Sequence, residues 1–139
     1  MRFFRYIPSF AVLLVLYNIL AFIPATANGF AANISVVRIP LPHNNDSVLL
    51  TVSEVFCILG IIGLYFEVLK ATRSSRDTLI DHVLSVGTLM VCIIEFLIVP
   101  RAGTSAFLIL TLLSLVDVIA GFTVTFATSR KDVSIGGGF

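Results

Sequence analysis

Four long apolar runs dominate this sequence and limit what the chain can fold into. Each has roughly 18 to 23 residues, and a helix of that length, rising 1.5 Å per residue, spans a hydrocarbon layer about 30 Å thick. Backbone groups in lipid must be paired within their own segment, so helices are the expected form. The pattern predicts an all-α, polytopic membrane protein, a single antiparallel bundle of four transmembrane helices. The predicted helices are Ile7–Pro24, Val48–Lys70, Thr78–Val99 and Thr104–Phe126.

The composition also favours a membrane protein. The 139 residues are 58% hydrophobic and 12% charged, and the mean hydropathy is +1.05. A soluble domain of this length could not bury so much apolar surface, so the lipid bilayer is the expected surrounding. The net charge of +1 gives no reason to expect a nucleic acid or an acidic substrate as partner.

The basic residues predict the orientation of the helices, because cytoplasmic loops of membrane proteins are enriched in Lys and Arg. Arg38 and Arg101 lie in the two loops of one side. The other seven lie on the opposite side, at Arg2, Arg5, Lys70, Arg73, Arg76, Arg130 and Lys131. We therefore expect both termini in the cytoplasm, an extracytoplasmic loop at 25–47 and a flexible tail at 130–139.

The N-terminal third leaves two questions open. In the loop, "NISVVRIP" begins with strand-like alternation, but Pro40 and Pro42 exclude a central strand, so we expect an extended piece across the outer helix ends. Before it, Arg2, Arg5, the apolar run and "ATANGFAAN" are also typical of a cleaved signal peptide. Cleavage would leave three helices in the same orientation, whereas retention gives four.

Polar residues form a seam along the predicted third helix. Its members are spaced by four, three, four and three residues, which places them all on one helical face. The opposite face carries Leu, Val, Ile and Phe, so we predict that the seam faces protein or water rather than lipid. The seam consists of Asp81, Ser85, Thr88, Cys92 and Glu95.

The fourth helix carries a comparable stripe of small and hydroxyl residues together with Asp117, and such residues allow close helix packing. The short connection between helices three and four predicts that they are antiparallel neighbours. Asp117 is then level with Thr88, its expected hydrogen-bond donor, and Thr111 should donate to Glu95.

The short loop between helices two and three predicts that these two helices also pack side by side. Glu54 is then level with Glu95, and Glu67 with His82. If Glu54 and Glu95 face each other, their repulsion favours a shared proton and a proton- or ion-handling site, for which Asp117 is the third candidate. In the alternative interpretation, one or both glutamates reach the membrane interface, where Arg101 or loop backbone binds them.

Charged residues near the predicted cytoplasmic surface have two interpretations. Glu67, Lys70 and His82 can form ion pairs at the interface, with Asp81 close by, or they can form a proton relay or metal site. One His beside one Asp is a weak metal signal, so we expect no metal. We find no nucleophile with a plausible base, no phosphate-binding loop and no haem ligand pair, so we expect neither an enzyme nor a cofactor.

Six stretches resemble a group of small four-helix inner-membrane proteins of proteobacteria. The resemblance covers Val36 to Asp132 and implies a four-helix protein of the bacterial inner membrane, without carrying over an activity. The first helix lacks the glutamate expected of small multidrug transporters. The similar stretches are "VVRIPLP", "EVLKATRSS", "DHVLS", "EFLIVP", "GTSAFLILTLLSLVDVIAGFTVT" and "SRKD".

These features predict a non-enzymatic integral membrane protein that acts as an accessory or scaffolding subunit. Its small size and small-residue helix contacts favour a homo-oligomer or a larger membrane complex as its setting. The alternative is a small proton or cation transporter that uses Glu54, Glu95 and Asp117.

Overall fold

Four helices make up most of the described structure. The computed structural model of the chain describes residues 7–22, 34–42, 47–72 and 77–135, with the backbone alone at 77–79 and 128–135. Long apolar runs favour helices because each backbone N–H bonds a carbonyl of its own segment. The helices are α1 (Ser9–Phe22), α2 (Val52–Ala71), α3 (Asp77–Ile98) and α4 (Ser105–Ile135).

Three of these helices are long and apolar enough to cross a membrane. The qualifying spans are Val52–Ala71, Ile80–Ile98 and Ser105–Ala127. The described helix α1 is apolar but has 14 residues, a length of about 21 Å at the rise of an α-helix. Length and composition therefore give three candidate spans among the described residues, against the four predicted.

Two predicted helix boundaries are wrong. The second helix begins at Val52 rather than Val48, because the residues before it form a strand. The fourth helix continues past the predicted end at Phe126 to Ile135, so part of the predicted tail at 130–139 is helical. The predicted signal-peptide cleavage region lies largely outside the described residues.

A β-hairpin precedes α2, so the predicted all-α fold is confirmed as mostly helical but has, in addition, a small two-stranded sheet. Strand β1 (Ser35–Pro40) pairs antiparallel with β2 (Ser47–Thr51), and Arg38 lies opposite Leu49. Pro40 is the last residue of β1, where its missing N–H costs little, and a two-stranded sheet has no central strand. The alternation in this segment therefore does indicate a strand.

The helices form a square in which α4 packs between α2 and α3, and α1 packs against the same two helices on the other side. The predicted antiparallel packing of α3 and α4 is confirmed by a contact between His82 and Thr125. The predicted side-by-side packing of helices two and three is wrong, because α2 and α3 lie diagonally across the described bundle. Helices α2 and α4 run parallel, with Gly60 of α2 close to Leu113 of α4.

Polarity in this bundle is inverted relative to a soluble protein. The exposed helix surface consists largely of Val, Ile, Leu and Phe side chains, for example Val83 and Ile119. In the interior, Ser85, Thr88 and Cys92 of the predicted seam are buried, and its end members Asp81 and Glu95 are partly buried. The buried polar residues are Glu67, Ser85, Thr88, Thr111, Ser114 and Asp117.

An aromatic layer fills the bundle near the hairpin. The Tyr17 ring packs edge-on against Phe56 at 5.6 Å and against Phe107 at 4.7 Å between ring centroids. These three side chains are at most 4% exposed, and Cys92 is fully buried beside them. A smaller apolar cluster of Phe10, Leu13 and Leu110 lies closer to the middle.

Candidate functional site

Charged and polar side chains of three helices meet at the end of the bundle opposite the hairpin. Because α2 ends there while α3 begins, and α4 runs antiparallel to α3, residues far apart in sequence lie at one level. Five of them line a common cavity, and Lys70 is bound to two of the five. We name this set the polar cluster: Glu67, Lys70, Asp81, His82, Ser85 and Asp117.

Glu67 links the polar cluster to the first helix. Both the backbone N–H and the hydroxyl of Ser9 donate to Glu67 Oε1, the hydroxyl at 2.7 Å. Ser9 is the first residue of α1, where backbone N–H groups have no partner within the helix. A carboxylate is a good acceptor there, since the helix dipole also favours negative charge. Glu67, only 5% exposed, therefore fixes the start of α1 against α2.

Lys70 joins the carboxyl groups of two helices. Its Nζ lies 3.1 Å from Glu67 Oε2 and 3.8 Å from Asp81 Oδ2. The lysine side chain is 29% exposed and that of Asp81 22%, so both reach towards the surface. The predicted ion pair between Glu67 and Lys70 is thus present, while its place at a membrane interface stays a prediction.

After Glu67, Asp117 is the most buried carboxyl of the polar cluster. It is 7% exposed and is hydrogen-bonded to the Ser85 side chain. Within the described part of the chain its second oxygen, Oδ2, has no hydrogen-bond partner. Thr88, the donor predicted for Asp117, instead bonds the Leu84 carbonyl of its own helix at 2.9 Å.

A small cavity lies between Asp117 and the other helices. Its volume is about 20 Å³, enough for one water molecule, and polar side chains on several sides could bind such a water. The cavity is lined by Glu67, Ala71, Asp81, His82, Ser85, Asp117 and Gly121.

His82 closes one side of this cavity. Its Nε2 lies 2.9 Å from the Thr125 hydroxyl, which in turn donates to the Gly121 carbonyl at 3.0 Å. The ring stacks on Phe122 with 5.6 Å between centroids and an interplanar angle of 6°. The described partners of His82 are thus residues of α4, whereas an ion pair was predicted.

Metal ligands are not brought together in the described part of the bundle. Among the described residues, no group of three His, Cys, Asp or Glu side chains is placed to hold a metal ion. Glu67 and Asp81 already contact Lys70, so their oxygens are partly committed to an ammonium.

The other predicted ion-handling pair is not assembled. Glu54 is exposed and forms a capping box with Thr51 at the start of α2. Glu95 accepts a hydrogen bond of 2.8 Å from Asn18 of α1. Each carboxyl therefore has its own partner, and neither uses Arg101, whose guanidinium bonds the Ala21 carbonyl at 3.1 Å.

The predicted alignment missed several contacts because it could not fix helix rotation. Ser85, one turn before Thr88, is the residue that reaches Asp117. Thr111, the expected donor to Glu95, bonds the Phe107 carbonyl of its own helix. The sequence gives no sign of the contact between Ser9 and Glu67, apart from the general preference for carboxylates at helix N-termini.

No family model, curated protein or solved structure matches this chain. The resemblance to small proteobacterial inner-membrane proteins therefore stays a prediction.

Proposed function

We propose that this chain is a non-enzymatic integral membrane protein that acts as an accessory or scaffolding subunit of an oligomer or larger membrane complex. One observation carries the proposal. The exposed faces of the helices are apolar over their length, while the polar side chains lie inside, as in a bundle whose solvent is lipid. A soluble monomer rarely exposes continuous apolar surface of this extent.

The proposal includes four helices at membrane depth in the bacterial inner membrane, with both termini in the cytoplasm. Helix α1 packs against α2 and α3 and shares their apolar exterior, although it is shorter than the three candidate spans. Most of the basic residues lie in sequence before α1, between α2 and α3, or after the apolar part of α4, which are the segments next to the polar cluster. This excess supports the polar-cluster end of the bundle as the cytoplasmic one. The hairpin then lies outside.

The cavities of the described structure favour a scaffolding role over a reaction site. Two open grooves beside α1, of about 360 and 420 Å³, are lined almost entirely by apolar side chains, which suits lipid or another helix. The cavity at the polar cluster holds about one water molecule, too small for an organic substrate. The other interior space near the hairpin is packed with aromatic side chains. What the molecule offers to others is its apolar helical surface and the exposed hairpin.

The transporter alternative receives less support from the geometry. Transport requires groups that connect both sides of the membrane, and the three predicted carboxyls are divided between two ends. Glu54 and Glu95 bind elements at the hairpin end, and Asp117 lies in the polar cluster. The buried apolar side chains of Phe10, Leu13 and Leu110 lie between these ends.

The test is purification of the chain from its native membrane in mild detergent. We expect a partner at fixed stoichiometry, either other copies or a different membrane protein, identified by mass spectrometry. The same partner, when tagged, should recover this chain, and harsh detergent should separate the two. A monodisperse monomer that recovers no partner at fixed stoichiometry would contradict the proposal.

A further inference from the structure

We propose that Asp117 and the cavity beside it form a proton-binding site, which exchanges its proton with water at the polar-cluster end of the bundle. In the binding step a hydronium ion gives its proton to Asp117 Oδ2, an O–H bond forms, and water is released. The step involves neither a redox change nor a further reactant.

The first argument is the hydrogen bonding of Asp117. Asp117 accepts a hydrogen bond from the Ser85 side chain, whereas its Oδ2 has no partner among the described residues. The Asp117 residue is 7% exposed. A buried carboxylate oxygen without a donor loses the hydration that stabilises its charge. A proton on Oδ2 removes this charge and turns the oxygen into a donor towards the cavity.

The second argument is the charge around Asp117. Glu67 of α2 and Asp81 of α3 line the same cavity, and His82 of α3 forms another wall. Lys70 is the described ammonium next to them, and it contacts both other carboxyls. The described cluster thus places three carboxyls against one ammonium, and one bound proton lowers that imbalance.

On the remaining elements, the described polar side chains that contact the polar cluster are uncharged hydroxyls. Helix α1 contributes Ser9, whose donors contact Glu67, and α4 contributes the hydroxyl of Thr125 next to His82. Arg73, Arg76 and Asp77 follow Lys70 in sequence, and their side chains are not described. These arginines are therefore included in the test.

A proton fits the cavity better than a metal ion. The cavity has room for about one water molecule, and no described trio of His, Cys, Asp or Glu side chains is placed to hold a metal. A small cation usually requires several oxygen ligands around it. Two of the three carboxyls here are already bound to Lys70.

Among the described residues, the site opens towards the polar-cluster end of the bundle. Lys70 and Asp81 are partly exposed and give a path to the surface at that end. Towards the hairpin, the hydroxyls of Thr88 and Thr111 are bonded to carbonyls of their own helices. The buried Ser114, the apolar cluster of Phe10 and Leu110 and then the aromatic layer around Tyr17 fill the rest of this interior. The proton is therefore bound and released on the same side, which distinguishes this site from a transport path.

Infrared spectroscopy of the purified protein during a pH titration tests the proposal directly. A protonated carboxyl in an apolar interior has a carbonyl band that an ionised one lacks. We expect such a band in the wild type, its reversible loss at high pH, and its absence in Asp117→Asn. The matched control is Glu54→Gln, which removes an exposed carboxyl at the opposite end and should keep the band.

A second variant keeps the test decisive if Asp117→Asn does not fold. Ser85→Ala removes a hydrogen bond to Asp117 but leaves the carboxyl, so the band should remain and shift in frequency. A band that ignores this change, or that persists in folded Asp117→Asn, would overturn the proposal. Two other results would do the same: loss of the band on adding Na⁺ at constant pH, or its appearance only after Arg73 and Arg76 are replaced by Gln.

Discussion

Gly121 and His82 show how closely the side chains of the polar cluster are fitted. A Cβ atom added at Gly121 would overlap the His82 imidazole. The ring has little freedom to move, because it stacks on Phe122 and bonds Thr125. Gly121 is therefore needed for close approach of α3 and α4 at the cavity.

We expect Gly121→Ala to destabilise the protein by about 1–3 kcal/mol, the usual cost of overpacking a filled interior. The methyl group would displace His82 and break its bond to Thr125. Unfolding in a denaturing detergent, followed by circular dichroism, measures the change. Gly87→Ala on α3 is the matched control, since a Cβ there meets nothing within 4 Å. Equal stability of the two variants would refute this account of Gly121.

Tyr17 gives a comparable case at the other end of the bundle. Its hydroxyl lies 2.6 Å from the Thr104 hydroxyl and donates to the Arg101 carbonyl at 3.2 Å. Tyr17→Phe should cost about 1 kcal/mol, because the ring packing stays while the buried hydrogen bonds are lost. Tyr65→Phe, at a position 62% exposed, should leave the midpoint of detergent-induced unfolding unchanged. A destabilisation as large as that of Tyr17→Phe would contradict this explanation.

At the scale of single residues, the sequence predicts which positions are polar and internal but not which atoms meet. The spacing of Ser85, Thr88 and Cys92 correctly places them on one face. Whether Ser85 or Thr88 reaches Asp117 depends on how α3 is rotated about its axis and shifted along it relative to α4. The spacing of residues within α3 does not encode that placement. A threonine hydroxyl can also bond a carbonyl one turn back in its own helix, as Thr88 does.

Among the secondary-structure elements, the junction between β2 and α2 joins the hairpin to the bundle. Thr51 ends β2 and caps α2: its hydroxyl accepts from the Glu54 N–H, and the Glu54 carboxylate accepts from the Thr51 N–H. The backbone N–H of Val52 also donates to the Ile34 carbonyl beside β1. Thr51 therefore takes part both in the strand pairing of the hairpin and in the N-cap of α2, and Val52 continues the contact to the residue before the first strand.

We expect Thr51→Ala to cost about 0.5–2 kcal/mol, the range for loss of a threonine N-cap. The first turn of α2 should fray, and amide exchange should increase both there and in β2. Thr51→Ser keeps the hydroxyl and should restore most of the stability. If alanine and serine have the same effect, the cap does not contribute as described.

Element boundaries were predicted well where apolar runs end abruptly and poorly elsewhere. Helix α3 lies within two residues or so of its prediction, whereas the start of α2 was placed inside a strand. The segment before Val52 is as apolar as the helix that follows, so hydropathy alone cannot separate them. The diagonal placement of α2 and α3 was also beyond the sequence, because a short loop favours neighbours and gives no sign of the close α2–α4 contact at Gly60.

For the whole molecule, the orientation of the bundle across the membrane determines which loops face the cytoplasm. If the polar-cluster end is cytoplasmic, Thr72 at the end of α2 lies inside and Ser47 at the start of β2 lies outside. Both positions are at element ends, where a small substitution should not disturb the bundle. They form a matched pair for labelling.

We expect Ser47→Cys to react with a membrane-impermeant maleimide in intact cells, and Thr72→Cys to react only after permeabilisation. Both variants would carry alanine in place of Cys57 and Cys92. Gel shift after labelling provides the measurement. The reverse pattern would overturn the proposed topology, and labelling of both sites in intact cells would overturn the membrane-spanning arrangement.

Proton flux gives a further prediction for the complete bundle. Liposomes containing the protein should acidify at the rate of protein-free liposomes, because the aromatic layer around Tyr17 separates the polar cluster from the hairpin end. Asp117→Asn should not alter that rate. A flux that depends on Asp117 would favour the transporter alternative over a one-sided site.

The diagonal placement of α2 and α3 also has a consequence for biogenesis. A ribosome synthesises α2 and α3 before α4, yet these two helices contact each other little, and α1 and α4 together supply the surfaces that join them. Before α4 arrives, Glu67 and Asp81 already have Lys70 as their partner, but the cavity beside them lacks the wall that Asp117 and Gly121 provide. In a membrane, a nascent chain stalled before Ser105 would therefore present an open polar cavity to lipid or to an insertase.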